Sequence, residues 1–278
     1  MLKRLLVAAI FLPMFVWVIY IPGRLPFFLL ALLGFNLAAV ELGSLARRRG
    51  LSVDFAWLVA FTTLVCLAAG WFGGPAAGLN WEAAAMVWLL VLGALLTLSL
   101  KAVFAGFQDS TVSGVSVAIM TLVIIAGIGS FVLLIHRLPL GPHWIVLLFG
   151  FNWLYDSGAM IGGMLFGRTK LAPSISPAKT VEGLVTGLLV NVAAAVAVHF
   201  WWVSRNLGFS LAGIIGLGVL LGLLAQAGDL VESMVKRWAG TKDASQLIPG
   251  HGGLLDKIDN LLFTAPVLYV IACLMQLP

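Results

Sequence analysis

Acids and bases crowd into one short segment of an otherwise oily chain. Residues 228–259 read GDLVESMVKRWAGTKDASQLIPGHGGLLDKID and carry Asp229, Glu232, Lys236, Arg237, Lys242, Asp243, Asp256, Lys257 and Asp259. The 278-residue chain has 16 Lys and Arg and 11 Asp and Glu, and nine of these fall within those 32 positions. Carboxylates beside cations, at the edge of an apolar protein, suit a site that holds metal ions and phosphates next to a membrane.

The spacing within the segment sharpens this reading. If the preceding helix continues past Ala227, Asp229 and Ser233 lie four apart, as do Glu232 and Lys236, so all four share one face. A solvated helix end with an intrahelical Glu232–Lys236 pair would look the same. The run PGHGGLLD shifts the balance, because Gly250, Gly252 and Gly253 surround His251. Glycines this dense permit backbone close to an anion. Asp229 and Asp256 can converge on one metal although they are 27 positions apart. Hard oxygen ligands at a phosphate site point to Mg²⁺ rather than zinc. His251 is expected to donate a hydrogen bond rather than to ligate the metal.

A second loop, FGRTKLAPSISPAKTVEG, supplies Ser176, Lys179 and Thr180. Pro173 and Pro177 prevent it from being helical throughout. Thr180 is placed to cap the next helix, with Glu182 in its first turn. Lys179 beside that helix start suits a phosphate, and a positive-inside loop would carry the same charge. Asp156 falls inside an apolar run, four residues after Asn152. A carboxylate at membrane depth is costly and marks either a functional group or a polar tie between helices.

These loops must be positioned by membrane helices. Hydrophobic residues make up 62% of the chain and charged residues 10%, against about 25% charged in soluble domains. The apolar runs are continuous and reach the roughly 20 residues that cross a bilayer as helix. The fold class expected is all-α, a polytopic membrane protein of about nine spans, with the N-terminus cytoplasmic. The spans are 5–22, 26–45, 52–70, 83–101, 115–135, 143–166, 181–203, 208–228 and 259–277. With that orientation, cytoplasmic segments hold 13 Lys and Arg and the outer side 3, in keeping with positive-inside bias. Loops 167–180 and 229–258 then share the cytoplasmic face. Residues 1–140 read as scaffold helices with dimer contacts, and 141–278 as the catalytic region. Gly158-x-x-x-Gly162, Gly163-x-x-x-Gly167 and Gly218-x-x-x-Gly222 are sites for close helix contact. Cys66 and Cys273 lie in apolar runs and read as packing residues. Asp54 and Glu82 lie near span ends and are expected to face water. The net charge of +5 follows from orientation, so no nucleic-acid partner is expected.

At these residues the chain resembles the phosphatidate cytidylyltransferase family, also called CDP-diacylglycerol synthase. The family's C-terminal signature is matched by Ser233, Lys236, Arg237, Lys242, Asp243, His251, Gly252, Gly253, Asp256 and Asp259. GDLVES, the DSGA segment at Asp156 to Ala159, and Ser176, Pro177, Lys179 and Thr180 extend the likeness over roughly 150–278. Two positions depart from the pattern. Lys257 stands where the family usually has Arg, which keeps the charge but loses the planar two-pronged grip on phosphate. Met160 stands where many members have Tyr.

The resemblance implies transfer of a cytidylyl group from CTP to phosphatidic acid, giving CDP-diacylglycerol and pyrophosphate for phospholipid synthesis. It implies Asp229 and Asp256 as the pair holding a divalent metal, Mg²⁺, with a second cation nearby such as K⁺. Lys236, Arg237, Lys242 and His251 join that pair as catalytic residues. Lys179, Ser176, Thr180, Ser233, Gly252, Gly253, Lys257 and Asp156 would bind substrate. A homodimer in the cytoplasmic membrane, its active site facing the cytoplasm, completes the expectation. A transporter, an enzyme using CTP with another lipid acceptor, and an inactive paralogue are the competing readings.

Overall fold

The computed structural model describes residues 13–71, 81–105, 109–203, 207–245, 247 and 252–275, almost all of them helical. Helix α1 covers 13–20 of these. It is followed by α2 (Leu25–Arg48), α3 (Phe55–Trp71), α4 (Trp81–Ala105) and α5 (Asp109–Thr121). A π-helical segment (Leu122–Ile128) joins α5 to α6 (Ser130–Arg137), and α7 (Gly141–Phe166) follows. Strands β1 (Lys170–Ala172) and β2 (Ser176–Thr180) precede α8 (Val181–Val198), a second π-helical segment (His199–Val203), α9 (Leu211–Trp238) and α10 (Leu255–Leu274).

Seven helical segments among the described residues are long and apolar enough to cross a membrane: Leu25–Arg48, Ala85–Phe104, Val112–Arg137, Gly141–Phe166, Val181–Trp201, Leu211–Trp238 and Leu255–Leu274. Helix α3 is apolar but only 17 residues long. The first predicted span lies partly outside the described residues. Leu89, Leu92, Leu96 and Leu100 of α4 point outward, as a lipid-facing helix requires. Cys66 and Cys273 are free and buried, as their apolar setting predicts.

Helices α7, α8, α9 and α10 pack on one another, while α2–α6 pack among themselves and against α10. The α7–α8 contact is close because it is built from glycines. A Cβ at Gly162 would lie 1.7 Å from Thr186 Oγ1, and one at Gly187 would meet the Tyr155 ring at 2.8 Å. The Gly158/Gly162 pair thus makes the backbone approach read from its spacing. Gly183 and Gly187 on the facing helix complete it.

Buried polar side chains tie the same helices together. Asn152 Nδ2 donates to Thr264 Oγ1 at 3.1 Å, Asn191 Nδ2 to the Gly218 carbonyl at 2.9 Å, and Tyr155 Oη to Gln226 Oε1 at 2.9 Å. In an apolar medium an unmade hydrogen bond is expensive, so these pairs fix helix register.

Two boundaries near the site differ from the sequence reading, and one loop gains structure it did not specify. Helix α9 does not stop where the apolar run ends near residue 228 but continues to Trp238. Helix α10 begins at Leu255 rather than 259. The segment after Arg168 is an antiparallel hairpin, with Lys170 opposite Thr180 and Ala172 opposite Ser176.

Several contacts gather the basic segments assigned to one face. Arg47 donates to the Val53 carbonyl, and Arg49 to the Trp238 carbonyl at the end of α9. Lys101 pairs with Asp54, and Arg237 Nε donates to the Ile175 carbonyl of the hairpin turn.

Candidate active site

The continuation of α9 decides the geometry. Asp229, Glu232, Ser233 and Lys236 follow at helical spacing, and Ser233 Oγ lies 3.4 Å from Asp229 Oδ1. Glu232 and Ser233 are buried. Helix α10 enters beside this face and contributes Asp256, Asp259 and Asn260. Carboxylate oxygens of Asp229, Glu232 and Asp259 all lie within 4.8 Å of one another. Three carboxylates this close repel one another unless cations intervene.

Two lysines partly supply that charge. Lys179, at the end of β2, places Nζ 2.6 Å from Asp229 Oδ2. Lys236 pairs with Glu232 one turn earlier and reaches Asp256 Oδ1 at 2.6 Å. The other oxygen of Asp256 accepts from the Gly253 amide at 2.7 Å and the Ala244 amide at 3.2 Å. Asp259 is buried and enters none of the ion pairs among the described residues.

A cleft of about 400 Å³ opens onto Asp229. Its polar lining includes Asp156, Ser176, Lys179, Thr180 and Gln226, and its apolar lining includes Met160, Met164 and Leu184. Asp156 accepts from Asn260 Nδ2 at 2.7 Å, so it both ties α7 to α10 and lines the cleft. Met160 and Met164 are exposed on α7. One wall of this cleft suits a phosphate and the other suits an acyl chain.

The hairpin is anchored at both ends. Thr180 Oγ1 accepts from the Gly183 amide at 3.1 Å and caps α8, as predicted. Glu182 in the first turn of α8 accepts from the amides of Arg168 and Thr169. Lys179 is thereby held over Asp229 rather than left on a loose loop.

The predicted residues separate into groups. Asp156, Ser176, Lys179, Thr180 and Asp229 line one cleft. Ser233 contacts Asp229, and Lys236, Asp256 and Gly253 are joined through the contacts above. Arg237 is turned away toward Ile175 and the Thr241 carbonyl. Lys242 is exposed, and Lys257 is exposed within electrostatic reach of Asp156. His251 lies outside the described residues.

Gly252 takes φ +84°, and a Cβ there would meet Asp256 Oδ2 at 2.7 Å. A Cβ at Gly253 would meet Glu41 Oε2 at 2.6 Å. The glycines of the motif thus admit carboxylates against the backbone.

Sequence reasoning gave no role in the acid cluster to Glu232 and Asp259, and missed Asn260, Gln226 and Glu41. Glu232 and Asp259 each lie three residues after a predicted ligand, the spacing that shares a helix face. Glu41 was legible as a lone acid in the apolar run 26–45.

The model of the cytidylyltransferase family matches residues 2–275. The chain belongs to the cytidylyltransferase family. It is 41% identical over 131 residues to a phosphatidate cytidylyltransferase of Staphylococcus haemolyticus, covering 47% of this chain and 49% of that protein. Over 145 residues it is 42% identical to the phosphatidate cytidylyltransferase of Staphylococcus saprophyticus, covering 52% and 54%. The phosphatidate cytidylyltransferase of Synechocystis is 45% identical over 144 residues, covering 50% of this chain and 46% of its own. These alignments span about half the length of the curated relatives.

Proposed function

We propose that this cytidylyltransferase-family protein transfers a cytidylyl group from CTP to phosphatidic acid, releasing pyrophosphate and forming CDP-diacylglycerol. The observation that carries the reading is the cleft at Asp229. It combines a lysine-bearing polar wall with an exposed methionine wall, beside an acid cluster in a membrane-spanning bundle. A lipid phosphate and a nucleotide triphosphate both need such a place.

The donor set fits a hard divalent cation such as Mg²⁺. Asp156, Asp229, Glu232, Asp256 and Asp259 gather around Lys179 and Lys236, an excess of carboxylate that calls for added positive charge. Asp229 and Asp256, the pair the resemblance implies, would hold the ion, and a second cation such as K⁺ would lie nearby. Among the described residues the carboxylates closest to Asp229 are Glu232 and Asp259, while Asp256 is held by Lys236 and two amides. When bound, the ion supplies charge neutralisation at phosphoryl oxygens.

The chain's own residues supply alignment. The lipid phosphate oxygen attacks the α-phosphorus of CTP in line. A new P–O bond forms while the bond to pyrophosphate breaks. A phosphate monoester is largely ionised near pH 7, its second pKa being about 6, so no strong general base is required. Lys179 in the cleft holds phosphate oxygens, and Lys236 adds positive charge from between Glu232 and Asp256. Lys257 and Lys242 are further cations for the substrates' phosphates, and Ser176 and Thr180 line the pocket. Asp156 with Asn260 holds the wall opposite the hairpin. Arg237 steadies the hairpin turn. Gly252, Gly253 and His251 are assigned to the nucleotide on the resemblance alone.

The same reading puts the protein in the cell's cytoplasmic membrane, its N-terminus and this cleft on the cytoplasmic side, where CTP is available. It works as a homodimer whose contacts come from the N-terminal helices. Purified protein in detergent with phosphatidic acid, labelled CTP and Mg²⁺ tests the reaction. A lipid-soluble cytidine product that vanishes with EDTA is expected. No product from a preparation that binds CTP would move the reading to another lipid acceptor or an inactive paralogue.

A further inference from the structure

Helix α2 carries one carboxylate, Glu41, in its buried face, at 6% exposure. It lies more than 200 positions before the residues it touches. Its oxygens accept from the Leu254 amide at 3.0 Å, the Leu255 amide at 2.7 Å and Ser245 Oγ at 2.5 Å. The two amides open α10, whose N-cap residue, Leu254, makes no side-chain capping bond of its own. Helix starts leave amides without intrahelical partners, and an anion there is favoured by the helix dipole. Glu41 is therefore the cap of α10, supplied from another helix.

The next amide back, that of Gly253, goes to Asp256. Three consecutive amides are thus divided between two carboxylates, Glu41 and Asp256. Gly253 has no room for a side chain between them. Just past the last residue of α2, its C-cap Arg49 donates to the Trp238 carbonyl where α9 ends. One helix of the N-terminal half therefore holds both the end of α9 and the start of α10.

We propose that Glu41 is a positioning residue for Asp256: it caps α10 and fixes the glycine segment against which the Asp256 carboxylate is set. The role of Asp256 in this statement rests on the function proposed above. Glu41 touches no reacting group and acts through the segment 253–256.

The test uses the full chain with Glu41→Ala and Glu41→Gln. Amide hydrogen exchange over 252–256, without substrates, reads the clamp whatever the enzyme's substrates are. Exchange is expected to rise about tenfold in Glu41→Ala, the scale of a lost helix cap. The Mg²⁺ concentration giving half-maximal CTP- and phosphatidate-dependent turnover is expected to rise about tenfold, as for removal of an outer-shell partner. Glu41→Gln keeps one accepting oxygen, so both readouts should fall between the unsubstituted protein and Glu41→Ala. Exchange within twofold of the unsubstituted protein in folded Glu41→Ala would overturn the capping role. Faster exchange with an unmoved Mg²⁺ requirement would overturn the positioning role. Loss of CTP turnover in the unsubstituted protein itself would strike the proposed function and leave the exchange result to decide the clamp.

Discussion

Lys236 Nζ sits 2.6 Å from Asp256 Oδ1 and pairs at the same time with Glu232, so a single ammonium joins α9 to the start of α10. All three side chains are largely buried, Lys236 at 13% exposure. A buried cation between two carboxylates cannot be removed without leaving unpaired charge in an apolar bundle. This contact makes the two charged helix ends one structural unit.

Replacing Lys236 by Met should therefore destabilise the protein by about 3 kcal/mol, as breaking buried pairs does. Turnover should fall at least about 100-fold, the lower range for loss of a charge-stabilising group. Lys236→Arg should recover the stability but not all of the rate. Thermal unfolding in detergent, followed beside product formation, checks both.

Glu232 and Asp259 extend the acid cluster beyond the pair named by the sequence. Glu232→Gln and Asp259→Asn should each raise the Mg²⁺ concentration that gives half-maximal rate by about tenfold. The CTP concentration at half-maximal rate should move much less. A Mg²⁺ titration at saturating CTP, with CTP titrated separately, distinguishes the two effects. Unchanged Mg²⁺ dependence in both variants would leave only Asp229 and Asp256 as ion-holding groups.

Gly162 faces Thr186 with no space between the helices. Gly162→Leu should force α7 from α8 and cost about 1–3 kcal/mol, the usual penalty of overpacking. Because Asp156 and Lys179 flank that contact, activity should fall with stability. Gly150, which has nothing within 4 Å of a Cβ, is the control, and Gly150→Ala should change neither.

Much of this site was legible because charge was sparse. Asp229, Ser233, Glu232 and Lys236 kept helical spacing beyond the apolar run, and α9 duly runs through them. Thr180 and Glu182 announced the start of α8, and Gly158 and Gly162 announced its contact with α7. Other features depend on partners remote in sequence. The hairpin pairs Lys170 with Thr180 across two prolines, and no periodicity specifies that register. Glu41 became meaningful only once α2 was seen against α10, since its partners are backbone amides that carry no residue-specific mark.

Lys257, in the first turn of α10, is exposed within electrostatic reach of Asp156. Lys257→Arg should lower the half-saturating concentration of lipid or nucleotide by about tenfold at most, since a two-pronged grip replaces a point charge. The maximal rate should stay the same. Steady-state titration of each substrate checks this.

The central claim is that Asp229 organises the reaction at the α9 face. Asp229→Asn, purified beside the unsubstituted protein and shown to be folded by its thermal transition, should form no lipid-soluble cytidine product from CTP, phosphatidic acid and Mg²⁺. Near-normal product formation by that folded variant would contradict the account.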